Sequence, residues 1–195
     1  RSSAGWRYDD DGTADAGWQD ATFNDDHWKK GASPLGYGDR GIATTVGFGE
    51  DPEKKHAATF FRRHFEVPAG GKFARVNLSL RCDDGAALTL NGKPLARLNL
   101  GRGAVTAKTF AEEALSGEQE QEFHRMQLPV NLLRVGKNVL AVSVHQVGPT
   151  SSDLVLDLEI FALTKEELPV KAVVRAEARQ AINAYHKRHF VAPDM

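Results

Sequence analysis

The sequence is poor in cysteine: Cys82 is the only one among 195 residues. One thiol cannot close an internal disulfide, and no cysteine pair stands at metal-binding spacing. An excess of one charge is also lacking. Lys and Arg number 25 against 26 Asp and Glu, giving a net charge of -1. That leaves no basic field for nucleic acid or anionic lipid, and neither is expected as a partner. No run is long and apolar enough to cross a bilayer. No amino-terminal signal pattern is present either. The chain opens on Arg1, so it reads as a processed or excised stretch. A nucleophile signature such as G-x-S-x-G and a Ser-His-Asp arrangement are missing as well.

What is present is an ordinary globular composition, 41% hydrophobic and 26% charged, long enough for one domain with an appendage. The first fifty residues are rich in Gly and Asp and hold Trp6, Trp18 and Trp28. Such a segment reads as ordered loops laid over a scaffold, since a disordered tail would be poor in aromatics. Strand signals follow. ATFFRRHFEV (58–67) is β-prone, and FARVNLSLRC (73–82) alternates with Val76, Leu78 and Leu80 on one face. Leu88 and Leu90 share a face, Asn91-Gly92 signals a type I′ turn, and a return strand starts at Leu95. Residues 112–122 read as a surface loop or short helix. NVLAVSVHQV and SDLVLDLEIFAL alternate again, with Leu154, Leu156, Leu158 and Ile160 spaced by two. Short strands, turns between them and no long helices predict an antiparallel β-sandwich over residues 1–163. From Thr164 the character changes, and the Ala/Arg-rich stretch to 195 predicts a helical tail or linker to a neighbouring domain.

Seven short motifs stand in order: WRYDDDG (6–12), FNDDHW (23–28), PLGYGD (34–39), TFFRRHF (59–65), DDGAALTLNG (83–92), AVSVHQ (141–146) and SSD (151–153). In this the chain resembles the galactose-binding-like β-sandwich (jelly-roll) modules of large secreted bacterial proteins, over residues 5 to 163. Asn24 and Phe60 depart from the usual Asp and Tyr. The resemblance implies an all-β jelly roll, an extracellular or periplasmic setting, and a carbohydrate-binding or accessory role beside a hydrolase. It requires no cofactor. It also implies that a structural calcium, if bound, would lie between an early loop and the last strand, with Asp25 or Asp26 and Glu159 as candidates. The opposing reading is that the many early aspartates, Asp9, Asp10, Asp11 and Asp39 among them, cap turns.

The adjacent acids Asp83 and Asp84 pose the main question. Neighbours on a strand point to opposite faces, so the two are badly placed to act on one bond. A turn or bulge with Gly85 at an unusual backbone angle explains the triplet, and the turn could line a binding site. By the resemblance, this loop lies near the HQ and SSD motifs, so Asp83, Asp84, His145, Gln146, Ser152 and Asp153 would converge as a hydrogen-bonded rim or a sugar groove. On a regular strand only one of His145 and Gln146 could join them. His145 has no partner at metal spacing and reads first as a hydrogen-bonded histidine. His124, His186 and His189 read as exposed, and Cys82 as a buried small hydrophobe.

Sugar binding needs an aromatic platform and planar polar groups. Trp28, Tyr37, Arg40, Phe48, Asn91 and Arg97 are candidates, with Tyr37 and Arg40 expected at an exposed loop tip. Two functions stay open. One is a non-catalytic module that tethers an attached enzyme to a polysaccharide or glycoconjugate. The other is a structural or protein-interaction domain of a multidomain protein.

Overall fold

A computed structural model describes residues 5–70 and 73–164, so the expected helical tail lies outside the described residues. Eleven strands occur in chain order: β1 (Trp6–Asp9), β2 (Lys29–Gly31), β3 (Leu35–Tyr37), β4 (Thr44–Thr45), β5 (Ala58–Val67), β6 (Phe73–Asp83), β7 (Gly85–Leu90), β8 (Lys93–Leu98), β9 (His124–Leu128), β10 (Gly136–His145) and β11 (Leu154–Thr164). They form a six-stranded sheet, β2-β1-β5-β10-β7-β8, and a five-stranded sheet, β4-β3-β11-β6-β9. All pairings are antiparallel except the short β3–β4 pair. The protein is an all-β sandwich, as its patterning predicts.

The period of two explains the core. Val76, Leu78, Leu80 and Cys82 of β6 face Leu140, Val142 and Val144 of β10 across the sheets, with Leu154, Leu156 and Leu158 of β11 beside them. Each buried leucine here is worth about 2–5 kcal/mol against alanine. Cys82 is 1% exposed, and burial holds its thiol far above the ordinary range, so it behaves as an inert hydrophobe.

The amino-terminal segment differs from expectation. It is not loop alone but supplies β1 to β4. Trp6 and Tyr8 alternate inward against Phe61, which places β1 between β2 and β5. Four residues among Asp and Gly are too few for the alternation to show in sequence. β9 (HRMQL) is too short to show its alternation in sequence, and the return strand β8 starts at Lys93 rather than Leu95. His124, expected exposed, is 5% exposed on β9. Asn91 and Gly92 both have positive φ (53° and 78°), as the expected turn requires.

Gly85 corrects a detail. Its φ is not in the left-handed region. Instead a Cβ there would meet the Asn99 carbonyl at 3.0 Å and the Leu98 carbonyl at 3.1 Å, so glycine admits the end of β8.

A second aromatic layer covers the outer face of the six-stranded sheet. Trp18 packs edge-on to Phe60 at 5.0 Å and stacks on Trp28 at 6.1 Å. Arg62, fully buried, fastens this layer: its Nε donates to Asp25 Oδ2 at 2.7 Å, and its Nη1 donates to the Trp18 and Asp20 carbonyls.

Candidate functional site

Asp83 ends β6 in one sheet, and Gly85 begins β7 in the other. Asp84 is the single residue between them. Strand alternation does not extend across such a crossover, so the expectation that the two acids point apart fails. The Asp84 charge acts directly on Asp83. Their environments still differ. Asp84 Oδ1 accepts from Leu115 N at 2.8 Å, and its Oδ2 accepts from Val147 N at 2.7 Å. Both oxygens are thus held by backbone of two loops. Asp83 Oδ1 is buried with no hydrogen-bond partner. Burial, and then the charges of Asp84, Asp153 and Glu120, push the Asp83 carboxyl well above the ordinary range. Asp84 is a loop clamp, and its fixed carboxylate is unsuited to attack or to proton shuttling.

Part of the expected rim does converge. Gln146 Nε2 donates to the Tyr37 hydroxyl and to the Asp153 carbonyl (3.0 Å), and Ser152 Oγ donates to Asp153 Oδ1 at 2.6 Å. Tyr37, however, is no exposed loop-tip platform. It is 7% exposed, packs on Phe48 at 5.0 Å, and burial first of all raises its phenol. Arg40 is exposed, as expected. Asn91 belongs elsewhere. It lies at the far end of the six-residue β7, roughly 20 Å from Asp84 by strand rise, and its side chain binds Asn138 and Val139 N.

His145 is fully buried and makes two hydrogen bonds. A carbonyl can only accept, so Nδ1 carries the proton and donates to Thr109 O at 2.8 Å. Nε2 then accepts from Ser143 Oγ at 2.8 Å. Burial pushes the imidazole down to about 4, so it is neutral near pH 7. His145 therefore anchors the 105–109 loop to β10.

That loop forms one wall of a trough that sequence reasoning missed. Register aligns Phe60 (β5), Ser143 (β10), Ala87 (β7) and Arg97 (β8) in one row on the outer face of the six-stranded sheet. Small residues sit mid-row, with an aromatic at one end and a guanidinium at the other. Two adjoining hollows of about 280 and 110 Å³ follow this row and share Gln19 and Val105 as lining. Trp18 and Thr106 line the first, and Thr89 the second; Thr89 Oγ1 is buried without a partner. Arg97 is steadied by the Gly101 (2.9 Å) and Gly103 (2.6 Å) carbonyls. The weak signal in the sequence was polarity on otherwise apolar strands: Thr89 on β7 and Ser143 on β10. Gln19 had none.

The calcium set suggested by resemblance does not suit a cation. Asp25 already faces Arg62 (2.7 Å), His64 (2.6 Å) and Arg7 (3.2 Å). Burial works to raise its carboxyl, but the Arg62 and His64 hydrogen bonds outweigh it and hold it below the ordinary range. Asp26 is largely exposed and pairs with Arg7 at 3.0 Å. Glu159 lies on β11 in the other sheet, paired in register with Ser79. Turn capping accounts for others: Asp9 and Asp51 accept from backbone N–H groups two residues on. A different acidic group is present. Asp39, Glu120 and Asp153 each place one carboxylate oxygen within 4.8 Å of the others.

The fold and the trough define a class: a β-sandwich domain that presents a polar hollow on one sheet. No family model matches the chain, and no curated protein matches it. Among solved structures, it is similar to Bacteroides uniformis beta-glucuronidase 2, with a TM-score of 0.55 at 16% identity over 84% of this chain. The match takes up only 17% of that enzyme's chain. A glycosyl hydrolase family 2 member from Bacteroides cellulosilyticus matches over 80% of this chain and 20% of its own, at 16% identity and a TM-score of 0.49, too loose to carry an argument. At such identity the likeness shows a shared sandwich fold. Among the described residues no helix is long and apolar enough to cross a membrane.

Proposed function

We propose that this chain is a non-catalytic carbohydrate-binding domain of a larger glycosidase, working outside the cytoplasm. The trough carries the reading. Its aromatic edge (Trp18, Phe60), amide (Gln19), guanidinium (Arg97) and hydroxyls (Ser143, Thr89) are the mix that holds a sugar ring by its apolar face and its hydroxyls. The fold it shares with a stretch of a beta-glucuronidase is consistent with such a parent protein. The clamped Asp84 argues against chemistry at the acid pair. The test is retention of the chain on a broad panel of immobilised polysaccharides and glycans. Selective retention that falls at least tenfold in Arg97→Ala supports the reading. A blank panel with folded protein rejects it.

A second reading, packing against another domain, has its own observation. A larger groove of about 660 Å³ between the sheets is lined by Phe65, Phe73, Leu133, Leu158 and Ile160 with charged residues at its edge, and Phe161 nearby on β11 is exposed. A blank glycan panel would favour this surface.

A further inference from the structure

The sandwich is open along one side. β11 pairs β6 over 155–164, but on its other edge it pairs β3 only over 154–156. Among the described residues no strand pairs that edge over 157–164, roughly 25 Å by strand rise. The other sheet is open there too. β1 pairs β5 only over 60–62, and among the described residues no strand pairs 64–67 on that side. The groove of about 660 Å³ lies between these two edges. Consecutive strand residues point to opposite faces, yet Phe65 and Glu66 of β5 both line it, as do Glu159 and Ile160 of β11. Strand edges, and not only inner faces, therefore form its walls. Phe65, Phe73, Leu133 and Ile160 pack against the core here but stay partly exposed, so the core is not closed on this side. A long unpaired edge beside an apolar slot is what natural sheets cover with another segment.

The end of β11 lies at this groove. Thr164 is opposite Phe73 in register, and Phe73 and Ala162 both line the hollow. Residues 165–195, outside the described residues, thus leave the fold at the groove's mouth. Their sequence fits the edge. With a three-residue turn at 165–167, an antiparallel return sets Val170, Ala172 and Val174 beside Ala162, Ile160 and Leu158, which line the slot. The same register sets Lys171 beside Phe161 and Arg175 beside Asp157 on the outer face. A slip of one residue would turn both cations inward. Pro169 is tolerated because an added strand has one side free. We infer that the groove seats residues 168–175 of this chain, added as a strand to the free edge of β11. Backbone pairing along the edge and alternate apolar side chains in the slot are the two parts of strand addition. The short tether favours this segment over a separate molecule or a neighbouring domain. The helix or linker expected from Thr164 would then begin no earlier than Ala176. This strand addition does not rest on the glycan reading.

The experiment uses the full chain with cysteine pairs introduced in separate variants. One is Ala162→Cys with Val170→Cys, and the other is Ile160→Cys with Ala172→Cys. Cys82 is 1% exposed and stays out of the exchange. Mild oxidation followed by peptide mapping is expected to find an intramolecular disulfide in both. It would form on the order of tenfold faster than in the out-of-register pair Ala162→Cys with Lys171→Cys. A second measurement needs no cross-link. Val170→Asp with Val174→Asp would lower Tm by about 5 °C or more, while Lys171→Gln would move it by about 2 °C at most. Equal rates for the in-register and out-of-register pairs overturn the inference. So do disulfides formed only between chains, which would put a second copy's segment in the groove. A Tm unmoved by the two aspartates overturns it as well.

Discussion

Asp84→Asn is the substitution whose cost can be worked most directly from the structure. Each Asp84 oxygen accepts one backbone N–H, from Leu115 at 2.8 Å and from Val147 at 2.7 Å. Asparagine keeps one acceptor and turns its NH₂ toward the other donor. A hydrogen bond to a charged group is worth about 1.5–3 kcal/mol, and a stranded buried N–H costs about 1–3 more. The sum is on the order of 3 kcal/mol. With a urea m-value of about 2 kcal/mol/M, the midpoint falls by about 1.5 M at unchanged m. Asp83→Asn is the internal control. Asp83 Oδ1 has no partner, and burial and then the Asp84 charge push its carboxyl up to about 9, so near pH 7 the substitution replaces an already neutral group and leaves the midpoint unchanged. A drop below about 0.3 M for Asp84→Asn, or equal losses for both variants, would refute the division of roles between these adjacent acids.

Three further outcomes are expected. His145 is depressed to about 4 against about 6.5 in an unfolded chain. The unfolded state then binds the proton first, so stability is full above about pH 6.5 and falls as pH drops toward 4. The His145 share, on the order of 3 kcal/mol, is absent in His145→Asn, whose chemical-denaturation midpoint changes less over that range. Arg62→Met strands Asp25 among fewer partners and loosens the Trp18 carbonyl, costing about 3–5 kcal/mol by thermal or urea unfolding. Gly36→Ala would place a Cβ 1.8 Å from the Leu154 carbonyl, so β3 cannot stay paired to β11, and soluble yield and Tm both fall.

The long strands were legible because their alternation runs for ten or more residues. Ala58–Val67 matches the strand-prone run residue for residue, the 73–82 run is one residue short at its end, and the 152–163 run starts two residues early and ends one early. β1 and β3 were not, since four or three residues beside glycine carry too little periodicity, and tertiary packing of Trp6 and Tyr37 decides them. The convergence of Gln146, Ser152 and Asp153 was implied by the family resemblance, and these three residues do meet. Tyr37 failed because loop glycines suggested exposure, while the Gln146 amide draws its hydroxyl inward. Asp25 failed as a cation ligand because its partners, Arg62 and His64, lie on a strand distant in sequence. The trough was invisible because it exists only in register: Phe60, Ser143, Ala87 and Arg97 come from four strands.

Trp18 lines the trough, so its fluorescence reports on whatever enters. A titration of the folded chain with the soluble form of any glycan retained on the panel is the most direct measurement. The account expects a saturable change in tryptophan emission that is lost in the Gln19→Ala, Arg97→Ala double variant, while its unfolding midpoint stays within about 0.5 M urea of wild type. Unchanged affinity in that double variant, or no response to any glycan, would contradict a sugar site on this sheet.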